Sequence, residues 1–177
     1  MKTEDVMTRR VVAARADTDL AHVARLMWEN DCGAVPVVDA EDKVVGILTD
    51  RDVCMSAHFQ GRALNELRAG TCMASEVVTC RTSDDLATIA RLMGVRKVRR
   101  LPVADEQGRL LGIVSFADLF GAASRSSAKE RKALEVALVD ALAAISQRPI
   151  EELAPVAPAK NAKRGAKSKS AKKRVRV

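Results

Sequence analysis

Apolar and polar positions alternate along the chain in an order that predicts a βαββα unit. An apolar pair at residues 11–12 predicts a short first strand. Apolar residues over 20–27 then follow the i, i+3, i+4, i+7 spacing of a helix that buries one face. Two apolar runs at 34–38 and 44–48, separated by a polar turn, predict a pair of strands. A second helix is predicted to begin at Thr49.

The same order returns 66 residues later, so the chain contains an internal repeat. Residues 7–53 align with residues 73–119 without a gap, and about a third of the aligned positions are identical. The elements predicted in the second copy are strands at 77–78, 101–104 and 110–114, a helix with its core face at Leu86, Ile89, Ala90 and Met93, and a helix from Ser115. Because one such unit cannot bury both faces of its small sheet, we expect the copies to pack sheet to sheet about a pseudo-two-fold axis.

The predicted fold class is therefore α/β, of the α+β type, with βαββα repeats at residues 3–62 and 69–122. Thr18 in the first repeat and Ser83-Asp84 in the second are predicted to cap the first helix of each.

Beyond the repeats, residues 126–148 predict a C-terminal amphipathic helix, opened by Ser127 and Glu130 at the spacing of a capping box. Its wide apolar stripe is expected to be buried against the repeats or against a second subunit, and we expect a homodimer. Residues 149–177 are predicted to form a proline-containing linker and a disordered tail of Lys, Arg and Ala.

Composition narrows the classes of function. The apolar fraction of 47% suffices for a core, and an aromatic fraction of 2% argues against stacking of nucleic-acid bases. With no run of about 18 apolar residues and no apolar stretch at the N-terminus, we expect a cytoplasmic protein without a membrane span or membrane partner. The four cysteines form no C-x-x-C pair, so we expect reduced thiols and no metal site.

The net charge of +7 comes from the C-terminal tail. Residues 159–177 contain nine basic residues and no acidic one, which leaves 21 basic and 23 acidic residues in the rest of the chain. Such a tail would attract nucleic acid weakly and without sequence preference, so a nucleic-acid-associated protein is the alternative function. Contact with an acidic protein partner, or a solubilising role, would also account for this charge.

Each repeat ends in a buried strand, a hydroxyl residue and an aspartate three residues later. These residues are Thr49 and Asp52 in the first repeat, and Ser115 and Asp118 in the second. A helix N-terminus presents unpaired N–H groups and a partial positive charge, so phosphate can bind there, and the aspartate can accept hydrogen bonds from a ribose diol. The same spacing also describes a capping box, which stabilises a helix start without a ligand.

A basic cluster in the second repeat favours the ligand interpretation. Arg96, Lys97, Arg99 and Arg100 lead directly into the predicted strand at 101–104. Arginine beside a helix N-terminus suits a phosphate because its guanidinium group forms charge-assisted hydrogen bonds. A solvated surface would also account for this cluster.

The repeated unit resembles the CBS domain, named for cystathionine β-synthase, which normally occurs as a tandem pair. The resemblance rests on GILTDRD at 46–52 and GIVSFAD at 112–118, together with AVPVVD at 34–39 and RLPVAD at 100–105. The resemblance covers about residues 3–122, and the chain as a whole is similar to small stand-alone CBS-pair proteins of bacteria. The resemblance implies a regulatory module, without a required cofactor, whose two clefts can hold AMP, ADP, ATP or S-adenosylmethionine.

The resemblance also implies roles for individual residues. Ribose would be held by Asp52 and Asp118, phosphate would be met by Thr49, Ser115, Arg99 and Arg100, and adenine would be flanked by the main chain around Val12, Val37, Val78 and Val103.

The two clefts are expected to differ. Gly33-Ala34 stands in the first repeat where Arg99-Arg100 stands in the second, and Arg51 could supply a charge only from the helix side. The second cleft is therefore predicted to hold a phosphorylated ligand, and the first to hold a less charged ligand or none. No nucleophile–base pair or pair of catalytic carboxylates is recognisable in the sequence, so we expect a nucleotide sensor and not an enzyme.

Overall fold

The computed structural model describes residues 1–147, and within them the two repeats fold into similar α+β units. The first repeat contains β1 (Ala14–Arg15), α1 (Leu20–Glu29), β2 (Ala34–Val38), β3 (Val44–Thr49) and α2 (Asp50–Gln60). The second repeat and the segment leading into it contain α3 (Ala69–Cys72), α4 (Leu86–Arg96), β4 (Arg100–Ala104), β5 (Leu110–Ser115) and α5 (Phe116–Arg125). The chain then forms α6 (Ala128–Ser146). The predicted basic tail lies outside the described residues.

Each repeat is built on a β-hairpin, as predicted. β2 and β3 pair antiparallel with Ala34 opposite Thr49, and β4 and β5 pair antiparallel with Arg100 opposite Ser115. The two hairpins therefore have the same register. In each, the first residue of the first strand lies opposite the last residue of the second strand.

The predicted first strands at residues 11–12 and 77–78 are wrong in position. Val12 and Val78 are partly buried and pack against the two hydrophobic cores, so the apolar pairs do mark burial. The main chain meets the neighbouring strand only two residues later. β1 pairs in parallel with β2 from Ala14, and the second repeat makes a single parallel bridge at Cys80.

The predicted caps of the first helices also lie one residue too early. Asp19 caps α1 by accepting a hydrogen bond from the N–H of His22 at 2.9 Å, and Asp85 caps α4 in the same way. Thr18 and Asp84 instead accept hydrogen bonds from main-chain N–H groups three residues before them, which close the turn that leads into each helix.

The N-terminal segment of each repeat, before its first strand, pairs with the other repeat. Thr8 and Ile113 of β5 exchange main-chain hydrogen bonds of 2.9 and 3.0 Å, and Ala74 and Ile47 of β3 exchange bonds of 3.0 and 3.1 Å. These two pairs are related by the same 66-residue shift that relates the repeats. The pseudo-two-fold arrangement predicted from the sequence is therefore confirmed, and the exchange gives each short sheet an additional partner.

Two glycines allow this exchange because a side chain would fill the space that the incoming segment occupies. A Cβ added at Gly112 would lie 2.7 Å from the carbonyl oxygen of Thr8. A Cβ added at the equivalent Gly46 would overlap Sδ of Met73. The first obstacle is main chain, whereas the second is a flexible side chain that can move aside.

The helix predicted at residues 126–148 is observed as α6, and its predicted burial against the repeats is confirmed. Its inner side packs on α4 and α5 and joins the core of the second repeat. Ser127 caps its N-terminus. Glu130 accepts hydrogen bonds from the Ser127 hydroxyl and from the amino group of Met1, which lower the pKa of Glu130 to about 2.

None of the helices in residues 1–147 is long and apolar enough to cross a membrane.

We predict that Gly112→Ala destabilises the protein by about 1–3 kcal/mol, because the added methyl group meets the main chain of the exchanged segment. The matched control is Gly121→Ala on α5, where nothing lies within 4 Å of the added Cβ. This control should raise stability by up to about 1 kcal/mol, because alanine favours a helix over glycine. Urea unfolding of both variants measures the difference, and equal effects would contradict the close approach at Gly112.

Candidate ligand-binding clefts

The hydroxyl and aspartate of each motif form a capping box. Asp118 Oδ2 accepts hydrogen bonds from the main-chain N–H of Ser115 at 2.8 Å and from its hydroxyl at 2.7 Å. Asp52 Oδ2 accepts the same two bonds from Thr49, at 2.8 and 2.7 Å. The capping interpretation of the motif is therefore confirmed. In each repeat both hydrogen bonds are accepted by Oδ2 of the aspartate. Binding of a ligand by the hydroxyl residue and the aspartate stays a prediction.

The basic residues of the second repeat lie at the same corner. Arg100 stands opposite Ser115 across the hairpin, and the carbonyl oxygen of Arg99 accepts a hydrogen bond from the N–H of Phe116 at 2.9 Å. The main chain of Arg99 and Arg100 thus lies beside Ser115 at one end of the second sheet, and Asp118 follows in the first turn of α5. A helix N-terminus with a hydroxyl group is a suitable place for an anion, whereas the guanidinium group of Arg100 lies toward the first repeat.

The corresponding corner of the first repeat is acidic. Ala34 stands opposite Thr49, so no cationic side chain begins there. The first turn of α2 carries both Asp50 and Asp52, whereas the first turn of α5 carries one aspartate. Arg51 also lies in this turn of α2 and is exposed. A phosphate at this corner would therefore meet two carboxylates, although the guanidinium group of Arg100 also lies near Asp50.

A cavity of about 240 Å³ lies between the two repeats, beside the corner of the second. It is lined by Ile47 of β3 and Ala74, and by Glu76, Val77, Val78, Arg96, Val98, Arg100, Leu101 and Pro102. Its wall therefore includes the exchanged pair Ile47 and Ala74. Ser115 and Asp118 do not line the cavity, but Ser115 lies opposite Arg100, which does.

The Arg100 side chain extends from the second sheet toward the first repeat. A Cβ added at Gly33 would lie 3.4 Å from Arg100 Nη2 and 3.3 Å from Asp50 Oδ2. The guanidinium group is thus near the acidic first turn of α2, and Arg100 also lines the cavity. The sequence predicted Arg100 for the second cleft alone, but the structure places it between the two repeats.

The valines predicted to flank adenine separate into two kinds. Val37 and Val103 are completely buried in the two cores, so only their main chain can face a ligand. Val78 is partly exposed and lines the cavity. Val12 occupies the position equivalent to Val78 in the first repeat and is also partly exposed.

Sequence reasoning missed Ile47, Ala74 and Glu76 as lining residues of the cavity. A signal for Ala74 was present, because the aligned repeat starts at Met7 and Met73, several residues before any predicted strand. Sequence similarity between the repeats outside the predicted helices and strands indicates that the segment packs against another part of the chain. The sequence does not reveal that its partner is the other repeat.

The four cysteines within residues 1–147 are free thiols, and Cys80 is the buried one. Burial raises the pKa of Cys80 to about 12, so this thiol is protonated and unreactive at neutral pH. No group of three or more His, Cys, Asp or Glu in this part of the chain could hold a metal ion.

Comparison with known proteins supplies the class to which this architecture belongs. The fold is that of paired-repeat modules, as seen in the solved CBS domain pair of protein MJ0100 (TM-score 0.61, 25% identity, 69% of this chain and 97% of that one). The solved structure of CBSX2 is similarly related (TM-score 0.61, 27% identity, 70% of this chain and 96% of that one).

The sequence relatives agree. The CBS domain-containing protein YhcV of Bacillus subtilis is 34% identical over 116 residues, which are 66% of this chain and 81% of YhcV. Protein MK0525 of Methanopyrus kandleri is 30% identical over 115 residues, which are 65% of this chain, and the match spans 59% of that protein. The CBS domain model matches residues 4–57 and 69–125. The chain therefore belongs to the CBS domain family, whose paired repeats are regulatory, ligand-binding modules.

We predict that Ser115→Ala lowers stability by about 1 kcal/mol in the absence of any ligand, because it removes the N-cap of α5. Ser124→Ala is the matched control, because Ser124 is exposed within the same helix and does not cap it. This control should change stability by less than about 0.5 kcal/mol. Thermal unfolding of the ligand-free protein tests this, and an unchanged Ser115→Ala variant would contradict the capping role.

Proposed function

We propose that this protein is a regulatory module that binds an adenosine-type ligand, AMP, ADP, ATP or S-adenosylmethionine, between its two repeats. The observation that carries the proposal is the inter-repeat cavity lined by Arg96 and Arg100, which lies beside the N-terminus of α5. Solved relatives support the class of ligand. The MJ0100 domain pair is in complex with 5′-methylthioadenosine and S-adenosylmethionine, and CBSX2 is in complex with AMP.

The cavity suits the base of such a ligand. Val78 and Pro102 offer apolar surface, and the neighbouring main chain offers hydrogen-bonding groups for a purine edge. Its volume of about 240 Å³ is smaller than a whole nucleotide site requires, since pockets for ligands of this size usually measure roughly 300–1,000 Å³. The sugar and phosphate would therefore extend toward Ser115 and Asp118 at the adjacent corner.

The corner provides for the sugar and the phosphate separately. Because the capping box uses Oδ2 of Asp118, its Oδ1 can accept hydrogen bonds from ribose hydroxyls without opening the helix cap. The N-terminus of α5 is positive and favours a phosphate, and the Arg100 side chain would turn from Asp50 toward this corner to contact it. The second cleft is therefore the site that we assign to a phosphorylated ligand, and the first cleft to a less charged one.

A ligand in this cavity would contact both repeats at once. Ile47 belongs to the first repeat, whereas Arg100 and Val78 belong to the second. A ligand that binds one relative position of the repeats more tightly shifts the population toward that position. This property is what a regulatory module requires.

We predict that millimolar AMP or ATP raises the melting temperature of the full chain, because a ligand that binds only the folded state adds stability. The gain is about 2.7 kcal/mol at a ligand concentration one hundred times Kd. S-adenosylmethionine belongs in the same panel, because its sulfonium group tests whether the site selects phosphate. No shift with any of these ligands would contradict the proposed function.

We further predict that Asp118→Asn abolishes the shift caused by AMP, whereas Asp52→Asn retains it. The two substitutions weaken the same capping box in the two repeats, so they should lower the stability of the ligand-free protein by similar amounts. Any difference in the response to AMP then reports ligand contact and not folding. Equal loss of the shift in both variants would contradict the assignment of the phosphorylated ligand to the second cleft.

A further inference from the structure

The Arg100 side chain lies between two places that attract its positive charge. Arg100 starts opposite Ser115 in the second repeat and lines the inter-repeat cavity. It also lines a groove of the first repeat, together with Gly33 and Asp50. The cation that we assign to the phosphate therefore reaches into the opposite repeat in this structure.

The carboxylate of Asp50 faces the same point as the guanidinium group of Arg100. A Cβ added at Gly33 would lie 3.3 Å from Asp50 Oδ2 and 3.4 Å from Arg100 Nη2, so a single methyl group would touch both. The other oxygen of Asp50, Oδ1, accepts a hydrogen bond from the N–H of Arg51 at 2.7 Å. Oδ2 is therefore the atom of Asp50 that attracts the guanidinium group.

The charges at the start of α2 explain why this carboxylate matters. A helix N-terminus carries a partial positive charge, so a guanidinium group beside it is unfavourable unless carboxylates compensate for that charge. The first turn of α2 has two carboxylates, but Asp52 Oδ2 already accepts two hydrogen bonds from Thr49 in the capping box. Asp50 is thus the residue that makes this position favourable for Arg100.

The arrangement occurs on one side of the pseudo-two-fold axis. The 66-residue shift relates Gly33 to Arg99 and Asp50 to Phe116, so neither the small residue nor the carboxylate is repeated. The main chain of Gly33 is outside the left-handed region, so its conformation does not require glycine. What position 33 requires is a small residue, because a side chain there would press on both Asp50 and Arg100.

We propose that Asp50 is a positioning residue that holds Arg100 away from the phosphate site and thereby lowers the affinity of the second cleft for a phosphorylated ligand. The proposal rests on the proposed function of that cleft. A phosphate at the N-terminus of α5 must draw the guanidinium group away from Asp50 before Arg100 can bind it. The apparent affinity is therefore reduced by the fraction of molecules in which Arg100 is still held.

The same movement of Arg100 connects the two repeats. When a phosphate draws Arg100 toward α5, the acidic first turn of α2 loses a nearby positive charge. The corner of the first repeat then becomes less favourable for a second anion. Because such coupling between sites is reciprocal, an anion at the first corner would also weaken the binding of a phosphorylated ligand in the second cleft.

Calorimetric titration of the full chain with AMP and with adenosine tests the proposal. Asp50→Asn should raise the affinity for AMP about two- to fivefold, which is the range expected from losing one partly exposed ion pair. The affinity for adenosine should stay unchanged, because adenosine has no phosphate. Glu41→Gln is the matched control, since it removes the same charge from an exposed turn at the other end of the first hairpin. An equal gain for adenosine, or for the control, would overturn the proposal.

Gly33→Ala separates the two groups by size and removes no charge. The added methyl group should push Arg100 away from Asp50, so this variant should also bind AMP more tightly than the wild type. In an Arg100→Gln background, neither Gly33→Ala nor Asp50→Asn should change the affinity for AMP. A gain that persists without Arg100 would show that both residues act by another route, and it would overturn the proposal.

A double-mutant cycle without nucleotide separates this proposal from the proposed function. If Asp50 holds Arg100, then Asp50→Asn and Arg100→Gln together should lower the melting temperature by about 1–3 °C less than the sum of their separate effects. Additive effects would overturn the proposal even if AMP binds. A coupled cycle in a protein that does not bind AMP would overturn the proposed function, and with it the regulation of affinity by Asp50.

Discussion

The fold depends on the exchange of the short N-terminal segments of the two repeats. A two-stranded hairpin is only marginally stable, and its free edge exposes unpaired N–H and C=O groups. Thr8 pairs with the last strand of the second repeat, and Ala74 pairs with the last strand of the first. Neither repeat is therefore complete without the other. The ligand cavity is a product of the same exchange, because Ala74 and Ile47 form part of its wall.

The residues assigned to ligand binding have a structural role before any ligand arrives. Asp118 and Asp52 close capping boxes that satisfy main-chain N–H groups at the start of α5 and α2. This role explains why the first repeat has the motif although no arginine leads into its second strand. A capping box alone is therefore weak evidence for a ligand. What distinguishes the second corner is the presence of Arg100 beside Ser115, together with a single acidic residue in the first turn of its helix.

Local periodicity was sufficient to predict the hairpins, the helices and the two corners, because each depends on residues close together in the sequence. The first strands were misplaced because the valine pair at 11–12 is buried by packing and not by pairing. Thr18 and Asp19 are both good capping residues, so only the geometry decides that Asp19 caps α1. Ile47 and Ala74 were missed as parts of the cavity wall because a pairing between distant segments leaves no local pattern.

The main chain of the two repeats is nearly symmetric, so their different roles must arise from side chains. Arg100 replaces Ala34 and makes one corner cationic, while Gly94 replaces Trp28 and lets α6 cover one pair of helices only. The first difference extends to the other repeat, because Arg100 lines the ligand cavity and its guanidinium group lies near Asp50 in the first turn of α2. The side chain that distinguishes the second corner thus lies between the two repeats.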